Sequence, residues 1–283
     1  MKKGPLSFHV QNMLPGVYHI CDVLGVHMTL LVGTQQALLI DTGYGLEDVS
    51  EICRELTDLP VSVVLTHGHH DHALGSRWFQ QVFIHPEDLP VFSVYTGEPW
   101  RRSVLESVRA KGLSVDEAAF LHAPMAQTVP WTDDLADPLD LGNLHVHIFH
   151  APGHTPGSLM AYVPEHRLLL PGDNWNPVTW CFFPEALRVQ DLISSLRAAR
   201  SLPFERILCP HCEVMLLRSD LDSFLDSFLD PFSEDLTEDR LLTAEKTDLG
   251  ARFHVDARKI VIRRGHELCF DYAKAFPPAS QGL

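Results

Sequence analysis

Short apolar runs separated by turn residues dominate the first third of the chain. Three such runs predict consecutive β-strands: Val17–Ile20, Val26–Val32 and Ala37–Ile40. Between Glu47 and Leu56 the apolar residues recur at helical spacing, which predicts an amphipathic helix. Val61–Leu65 is short and rich in valine, as expected of a buried strand. The chain therefore begins with strands, a helix and another strand.

The hydrophobic pattern breaks between Pro86 and about Pro138, where prolines, tryptophans and interrupted helical stretches dominate. We interpret residues 86–138 as an inserted, partly helical region. Strand patterns return at Leu144–Phe149, Leu159–Val163, Leu168–Leu170 and Arg206–Cys209, and helical patterns lie at Val189–Ala199 and Ser219–Leu229. This order of strands and helices predicts a layered α/β protein.

The C-terminal part of the chain forms a unit of its own in this pattern. We divide the chain into a main domain, residues 1–230, and a C-terminal extension, residues 231–283. In the extension, Phe253–Val255 and Ile260–Ile262 flank the polar stretch Asp256–Lys259, which predicts a β-hairpin with its turn at that stretch. Such a hairpin could support a homo-oligomer.

Composition and charge narrow the classes of function. The 283 residues include 22 Lys and Arg against 37 Asp and Glu, a formal net charge of −15. This balance disfavours binding to DNA or RNA, whose phosphates need basic partners, but it leaves a small-molecule substrate open. No apolar run has the length of a transmembrane helix or a signal peptide. We expect a cytoplasmic protein with no membrane partner and with mostly reduced cysteines.

The strongest chemical signal is the stretch Thr66–His72, with the sequence THGHHDH, directly after a predicted buried strand. Alternate residues of a tight loop can point toward one centre. His67 and His69 can then hold one metal ion, while Asp71 and His72 face a second. Imidazole nitrogens and carboxylate oxygens suit Zn²⁺, with iron or manganese as alternatives. Four clustered histidines are rare in an ordinary surface loop, so a metal site is predicted.

Three further candidates follow apolar strands. His154, Asp173 and His211 each lie just beyond a predicted strand in the second half of the chain. Each residue taken alone is common in a turn. Because loops at strand ends gather into functional sites, the three together are candidates for additional metal ligands.

These residues occur in the order of a known set of motifs. The chain resembles the metallo-β-lactamase superfamily in five motifs: Asp41-Thr42-Gly43, His67-x-His69-x-Asp71-His72, His154, Asp173 and His211. The resemblance runs from about Val17 to His211. It implies an α/β layered fold, an αβ/βα sandwich of two mixed β-sheets flanked by helices, with two divalent metal ions at the edge of the sheets.

The same resemblance implies a role for each residue. It implies His67, His69 and His154 on the first metal, Asp71, His72 and His211 on the second, and Asp173 as a bridge. Asp41 would brace the metal loop without binding metal. Around His211 the superfamily often has Gly-His-Gly, whereas this chain has Pro210-His211-Cys212.

Two positions favour the two-metal hydrolases of the superfamily. His69 stands where flavodiiron proteins have Glu, which disfavours that redox branch. A bridging carboxylate such as Asp173 is absent from the true zinc β-lactamases, which disfavours β-lactam hydrolysis as the main activity. The pattern is nearer to glyoxalase II-like thioesterases, lactonases and phosphodiesterases. The resemblance therefore implies hydrolysis of an ester, lactone or thioester, with phosphodiester hydrolysis or a β-lactamase side activity as alternatives.

Metal-assisted hydrolysis explains why such ligands would occur together. Two metals can share a water and lower its pKa toward neutrality, which supplies hydroxide at working pH. Asp71 is the candidate catalytic residue, because it could orient that hydroxide and pass a proton to the leaving group.

Two other classes of function stay open. The stretch Cys209–Cys212, with the sequence CPHC, resembles the redox pair of thiol oxidases, and such a pair can exchange disulfides. It lies late in the chain, however, after the strand that should carry the last metal ligand. The third class is a non-catalytic metal-binding protein, because a complete ligand set does not prove turnover.

Some residues near these motifs give weaker signals. His70 lies between candidate ligands and is expected to point away from the metals. Trp175 and Trp180 follow Asp173 closely, so either could line a substrate site. Trp100 is expected to pack in the interior, and the 86–138 insertion could form a lid.

Overall fold

The computed structural model describes residues 8–132, 137–228, 241–242, 258–263, 266–271 and 274. The strands in this part of the chain are β1 (His9–Leu14), β2 (Val17–Cys21), β3 (His27–Val32), β4 (Ala37–Ile40), β5 (Val61–Val64), β6 (Gln81–Ile84), β7 (Gln127–Pro130), β8 (Leu139–Asp140), β9 (His145–His150), β10 (Leu159–Val163), β11 (Leu168–Leu170), β12 (Val178–Cys181), β13 (Arg206–Ile207), β14 (Leu216–Leu217), β15 (Leu241–Leu242), β16 (Arg258–Arg263) and β17 (His266–Asp271).

The α-helices in the described residues are α1 (Val49–Leu56), α2 (His70–Ala73), α3 (Leu89–Tyr95), α4 (Glu98–Ala110), α5 (Glu117–His122), α6 (Val189–Arg200) and α7 (Arg218–Ser227). The Asp48 side chain caps α1 by accepting the Ser50 N–H, which satisfies one of the free donors at the helix start. No helix in the described part of the chain has both the length and the apolar character needed to cross a membrane.

Two large sheets form the body of the protein. The first has the strand order β1-β2-β3-β4-β5-β6-β7, antiparallel from β1 to β4 and parallel from β4 to β7. The second has the order β14-β13-β11-β10-β9-β8, with a parallel pair between β11 and β13. Both sheets are therefore mixed, as the resemblance implied.

Alternation along the strands explains why the sheets stack with helices outside. Leu38 and Ile40 of β4 lie in the core between the sheets, together with Leu168 and Leu170 of β11. Leu39 points to the other face and packs in the cluster that includes α1. On the outer face of the second sheet, α6 and α7 form the corresponding cluster. The αβ/βα sandwich predicted from the sequence is confirmed.

Only part of the 86–138 region is an insertion, because its last part belongs to the first sheet. Its last part, β7, is the edge strand of the first sheet and pairs in parallel with β6. The helices α4 and α5 precede it and pack through Val104, Leu105 and Phe120 in a small cluster with Leu74. The strand was missed because its sequence, QTVP, is short and mostly polar.

A third sheet joins the C-terminal extension to the main body, with the order β12-β17-β16-β15. The strand β16, which contains the predicted strand Ile260–Ile262, forms a hairpin with β17, and Arg263 pairs with His266, so the two strands are joined beyond Arg263. The other predicted strand, Phe253–Val255, lies outside the described residues. The turn predicted at Asp256–Lys259 is therefore wrong. That stretch contains no glycine, whereas Gly265 lies between the paired strands in the sequence. The domain boundary at residue 230 stays a prediction.

Candidate metal centre

Loops at one edge of the sandwich bring the seven predicted residues together. They follow β5, β9, β11 and β13. Ligand-type atoms lie within 4.8 Å of one another in each of two sets, the three-histidine group (His67, His69 and His154) and the mixed group (Asp71, His72, Asp173 and His211). The structure thus assembles every residue that the motifs singled out.

Glycine allows the metal loop to pack closely against its neighbours. A Cβ atom at Gly68, between His67 and His69, would lie 2.3 Å from the backbone nitrogen of Phe92. At Gly75, just beyond α2, it would lie 1.9 Å from the Thr42 carbonyl oxygen. Neither position has room for a side chain, so the backbone of the loop is fixed directly by α3 and by the end of β4.

In the three-histidine group, hydrogen bonds on the far side of each ring fix its orientation. His154 Nδ1 donates to the Trp180 carbonyl at 2.7 Å, and His69 Nε2 donates to Glu185 Oε1 at 2.5 Å. His67 Nδ1 lies 3.0 Å from the Thr66 hydroxyl. The ring N–H groups of the three histidines are therefore directed outward, and the opposite nitrogens face one another.

These inward nitrogens are what a bound cation would satisfy. His154 Nε2 and His69 Nδ1 lie 2.9 Å apart, although each carries a lone pair once its other nitrogen donates outward. His67 Nε2 is buried and has no hydrogen-bond partner among the described residues. A buried polar atom without a partner is costly. Three converging imidazole nitrogens of this kind fit a divalent transition-metal ion.

The mixed group lies directly beside them. His72 Nε2, also buried and without a hydrogen-bond partner in the described chain, is 3.5 Å from Asp71 Oδ2 and 3.5 Å from Asp173 Oδ1. His211 Nε2 lies 3.1 Å from Asp173 Oδ2. The same Asp173 oxygen is 3.7 Å from His154 Nε2, so this carboxylate lies between the two groups. That is the position expected of a bridging ligand.

One carboxylate, that of Asp41, orients a histidine in each group. Its Oδ2 accepts from His72 Nδ1 at 2.9 Å and from the Thr66 hydroxyl at 2.8 Å. Because the Thr66 hydroxyl donates to Asp41, it can accept from His67 Nδ1. Asp41 is 1% exposed and has φ +63°, a left-handed conformation that few residues other than glycine adopt. Its contacts match the bracing role that the resemblance implied.

Burial and neighbouring charges set the protonation of these groups. Burial lowers the pKa of His154 to about 4 and holds the pKa of His67 well below its ordinary value, so both rings are neutral near pH 7. Burial raises the pKa of Asp71, but the adjacent histidines, led by His72, outweigh it and bring the pKa down to about 2. The neutral rings of His67 and His154 and the ionised Asp71 carboxylate are in the forms that metals bind. Burial would lower the pKa of His72 and His211, but the Asp173 and Asp71 carboxylates outweigh it and raise both pKa values.

Asp88 joins two of the loops and was not foreseen from the sequence. It is 0% exposed, and its carboxylate accepts the backbone N–H groups of Gly68 and Gly157. Gly68 belongs to the loop of His67, and Gly157 to the loop of His154. The only sequence signal was an acidic residue shortly after a strand that ends at this edge of the sheet.

The loop of His211 rests on two stacked histidines. The rings of His19 and His27 lie 4.4 Å apart at 11°. His19 Nε2 lies 3.1 Å from the Cys212 carbonyl oxygen, and His27 Nδ1 lies 3.0 Å from the Pro210 carbonyl oxygen. The sequence suggested no partner for either histidine, because these contacts span 193 and 183 residues.

The cysteines of this loop do not have the features of a reactive pair. Cys209 is completely buried, and burial, reinforced by Cys212, raises the pKa of its thiol well above the ordinary value. A reactive thiol needs a lowered pKa and access to solvent. Both cysteines are free. This environment weighs against the redox alternative.

A cavity of about 430 Å³ opens onto both ligand groups. Much of its wall is apolar and combines aromatic side chains (Tyr44, Tyr95, Trp100, Trp180 and Phe183) with aliphatic ones (Leu24, Val26, Val104 and Val178). Helix α4 forms one side, so this part of the 86–138 region lies over the centre. No lysine or arginine is among the described residues that line the cavity.

The weaker sequence predictions have mixed outcomes. His70 belongs to neither ligand group, in line with the expectation that it points away from the metals, and its ring lines the cavity and packs on Trp100 at 4.6 Å. Trp100 lines the cavity, so the expectation that it packs in the interior is wrong. Trp180 also lines it, whereas Trp175 is 0% exposed in the hydrophobic core. The positions of His70 and Trp100 depend on how α4 packs over the metal loop, and the spacing of residues in the sequence does not indicate that packing.

The fold, the order of the motifs and their convergence at one edge define the class of protein. The family model of the metallo-beta-lactamase superfamily matches residues 21–211, and the chain belongs to this superfamily. This membership supports the prediction of a metal-dependent hydrolase.

Several curated relatives share part of the sequence. Acyl-coenzyme A thioesterase MBLAC2 of Gallus gallus is 28% identical over 156 residues, 51% of this chain and 55% of the relative. The Homo sapiens protein of that name is 28% identical over 159 residues, 51% of this chain and 56% of the relative. Probable metallo-hydrolase YqgX of Bacillus subtilis is 26% identical over 148 residues, 50% of this chain and 63% of the relative. The chain thus spans somewhat more than half the length of these relatives.

Solved structures support the fold. The metallo-beta-lactamase family protein TTHA1429 from Thermus thermophilus superposes with a TM-score of 0.55 at 21% identity, covering 82% of this chain and 85% of that one. The stereoselective inverting sec-alkylsulfatase Pisa1 from Pseudomonas sp. superposes with a TM-score of 0.59 at 16% identity, covering 85% of this chain and 45% of that one.

Proposed function

We propose that this protein is a two-metal hydrolase of esters, lactones or thioesters with an apolar acyl group. The observation that carries the proposal is the largely apolar cavity, with five aromatic side chains in its wall, that opens directly onto the two ligand groups. A cavity of this kind binds an apolar group by removing its surface from water, and the ligand groups lie where the scissile bond would then be held.

The cavity favours a neutral reacting group over a phosphodiester. Phosphate recognition in proteins often relies on arginine or lysine, and neither is among the described residues lining the cavity. The curated relatives named as acyl-coenzyme A thioesterases support a thioester as one substrate type. In such a substrate the acyl chain would occupy the cavity.

The proposed ligands are the seven residues of the two groups, and Zn²⁺ is the proposed metal because imidazole and carboxylate donors suit it. Iron and manganese accept the same donors. When bound, two divalent ions would supply Lewis-acid polarisation of the substrate carbonyl and a water of lowered pKa. The metals would thus activate both the electrophile, which is the substrate carbonyl, and the nucleophile, which is the water.

The side chains around the metals have separate tasks in this proposal. Asp71 has a lowered pKa, so it is ionised at pH 7 and could orient the attacking water as a hydrogen-bond acceptor. Tyr95 and Trp100, stacked at 4.4 Å, would hold the acyl group. Asp41 and Thr66 keep the histidines in place. A cytoplasmic location is part of the proposal, because Cys209 and Cys212, only three positions apart, are not joined in a disulfide, as in a reducing compartment.

Proton release by the metal-loaded protein, measured against lactones, aryl esters, acyl thioesters, phosphodiesters and β-lactams, tests the proposal. We expect turnover of esters, lactones or thioesters that rises with acyl-chain length and stops when a chelator is added. Turnover confined to phosphodiesters or β-lactams would contradict the substrate class. Turnover that persists after complete metal removal would contradict the proposed chemistry.

A further inference from the structure

The segment from Trp180 to Glu185 supplies acceptors to two of the three histidines in the three-histidine group. The Trp180 carbonyl accepts from His154 Nδ1 at 2.7 Å, and Glu185 Oε1 accepts from His69 Nε2 at 2.5 Å. Trp180 and Glu185 belong to neither ligand group. They act on the centre through the histidines, because each fixes which nitrogen carries the proton and where the opposite lone pair points.

The Glu185 side chain is itself held in place. Only 17% of it is exposed, and its carboxylate interacts electrostatically with the neighbouring Tyr95. The ring of Tyr95 packs against His69 at 4.3 Å. The carboxylate therefore has a fixed geometry toward the histidine, unlike a surface acid with many rotamers.

The backbone around Glu185 is held by the C-terminal extension. Lys274 Nζ donates to the carbonyl oxygens of Phe183, Pro184 and Ala186 at 2.9, 2.7 and 2.9 Å. An ammonium group has three donors, and all three are used on one turn of the chain. The flanking carbonyls thus converge on a single cation, which fixes the turn that presents Glu185.

The extension also fixes the Trp180 carbonyl. β17 pairs in parallel with β12, with Trp180 opposite Cys269. Leu268, Cys269 and Phe270 of β17 are buried in the same hydrophobic cluster as α6 and α7. β17 therefore fixes β12 on one side, and the Trp180 carbonyl of β12 in turn supports His154.

We propose that β17 and Lys274 together are a positioning element for the three-histidine group, with Glu185 and Lys274 as its positioning residues. The element orients His154 through β12 and His69 through the 183–186 turn. It makes tight binding of one of the two metals depend on a segment that lies outside the superfamily motifs. The inference rests on the proposed two-metal centre and is independent of the substrate.

Cadmium-113 NMR of the full-length protein, loaded with cadmium and titrated with a chelator, tests this inference. The two groups differ in donors, three nitrogens against nitrogens and carboxylates, so each metal should give its own resonance. We expect Glu185→Ala and Lys274→Met to release the metal of the three-histidine group at chelator concentrations about 10- to 100-fold lower than wild type. The other resonance should follow the wild-type curve.

Matched variants separate positioning from general loss of stability. Lys274→Arg keeps a cation with several donors and should restore most of the wild-type affinity, and Glu185→Gln, which keeps an acceptor oxygen, should lose less affinity than Glu185→Ala. Arg102→Met removes an exposed cation of α4 that pairs with Glu98, and it should behave as wild type. Thermal unfolding of the metal-free forms shows whether each variant folds.

Two results would overturn the inference. One is retention of both metals by Glu185→Ala and Lys274→Met at wild-type chelator concentrations. The other is loss of both resonances in parallel, accompanied by a lower Tm of the metal-free protein, which would indicate a purely structural role. If the wild-type protein bound no cadmium, the proposed centre itself would be wrong.

Discussion

Asp88 and Gly68 are joined by a hydrogen bond of 2.6 Å, from the backbone nitrogen of the metal loop to the buried carboxylate. The other oxygen of Asp88 accepts from Gly157 N at 2.8 Å, in the loop of His154. Two loops that approach from different sheets are thus held by one side chain. Burial raises the pKa of Asp88, and the hydrogen bonds that it accepts limit the rise.

Removing this carboxylate should destabilise the protein. Asp88→Ala leaves two buried N–H groups without their acceptor, each costing about 1–3 kcal/mol. We expect a lower free energy of unfolding for the metal-free protein, measured by urea denaturation. Asp58→Ala, at an exposed position, is the control and should change little. An unchanged urea midpoint in Asp88→Ala would show that the loops are held by other contacts.

Asp71 offers the sharpest test of the chemistry. Asp71→Asn keeps the size of the side chain but removes the charge that would orient the attacking water. We expect kcat on the best substrate to fall by about 10²- to 10⁴-fold, with an unchanged far-UV circular dichroism spectrum. Metal content must be measured in the same samples. Normal turnover by a metal-replete Asp71→Asn protein would remove Asp71 from the proposed mechanism.

Trp100 should determine affinity for the acyl group. Trp100→Ala removes part of the apolar wall formed by α4, and losing contact with a buried apolar group costs about 1.5–3 kcal/mol. We expect KM for long-chain substrates to rise about tenfold or more, with a smaller effect on short-chain substrates and on kcat. Steady-state kinetics across a chain-length series measures this. An equal rise in KM for acetyl and long-chain substrates would place the acyl group elsewhere.

Glu47 gives a pH dependence that is separate from the metal centre. Burial, followed by the charge of Asp22, raises its pKa to about 7, and its Oε2 is buried without a partner in the described chain. Between its ordinary pKa of 4.5 and about 7, the folded state keeps a proton that the unfolded state releases. The contribution of Glu47 to the free energy of unfolding is therefore fully present below pH 4.5 and is lost as the pH rises through 7.

Replacing Glu47 with Gln should remove that loss. We expect the Tm of Glu47→Gln relative to wild type to increase from pH 5 to about pH 7 and to level off by pH 8. Thermal unfolding of both proteins in metal-free buffers at each pH is the measurement. A Tm difference that stays constant over this range would mean that the carboxyl group titrates normally.

The sequence was most informative where local pattern and chemistry coincide. Ala37–Ile40 and Leu159–Val163 are strands with the predicted bounds. Each is a short apolar run next to turn residues, a pattern that favours a buried strand. The seven candidate ligands could be found because four lie within six residues and the others follow strands. Loops at the ends of strands meet at one edge, and the fold then brings these residues together.

The supporting contacts could not be found in the same way. Glu185 meets His69 across 116 residues, and Lys274 meets the 183–186 turn across about 90. Neither lies in a pattern that distinguishes it from an ordinary surface charge. Position, not residue type, gives Asp88 its role, since a carboxylate near a strand end is common. Packing between residues that are distant in the sequence determines which acidic and basic side chains become buried. The hydrophobic periodicity of the sequence contains no information about such packing.

The pairing of β12 with β17 has a consequence for biosynthesis. Synthesis runs from the N-terminus, so His67, His69 and His154 leave the ribosome long before β17 and Lys274, which hold the segment that orients two of these histidines. A nascent chain can form both large sheets while the last strand of the third sheet is still missing. Metal acquisition at the three-histidine group should therefore be completed only after β17 and Lys274 have been synthesised.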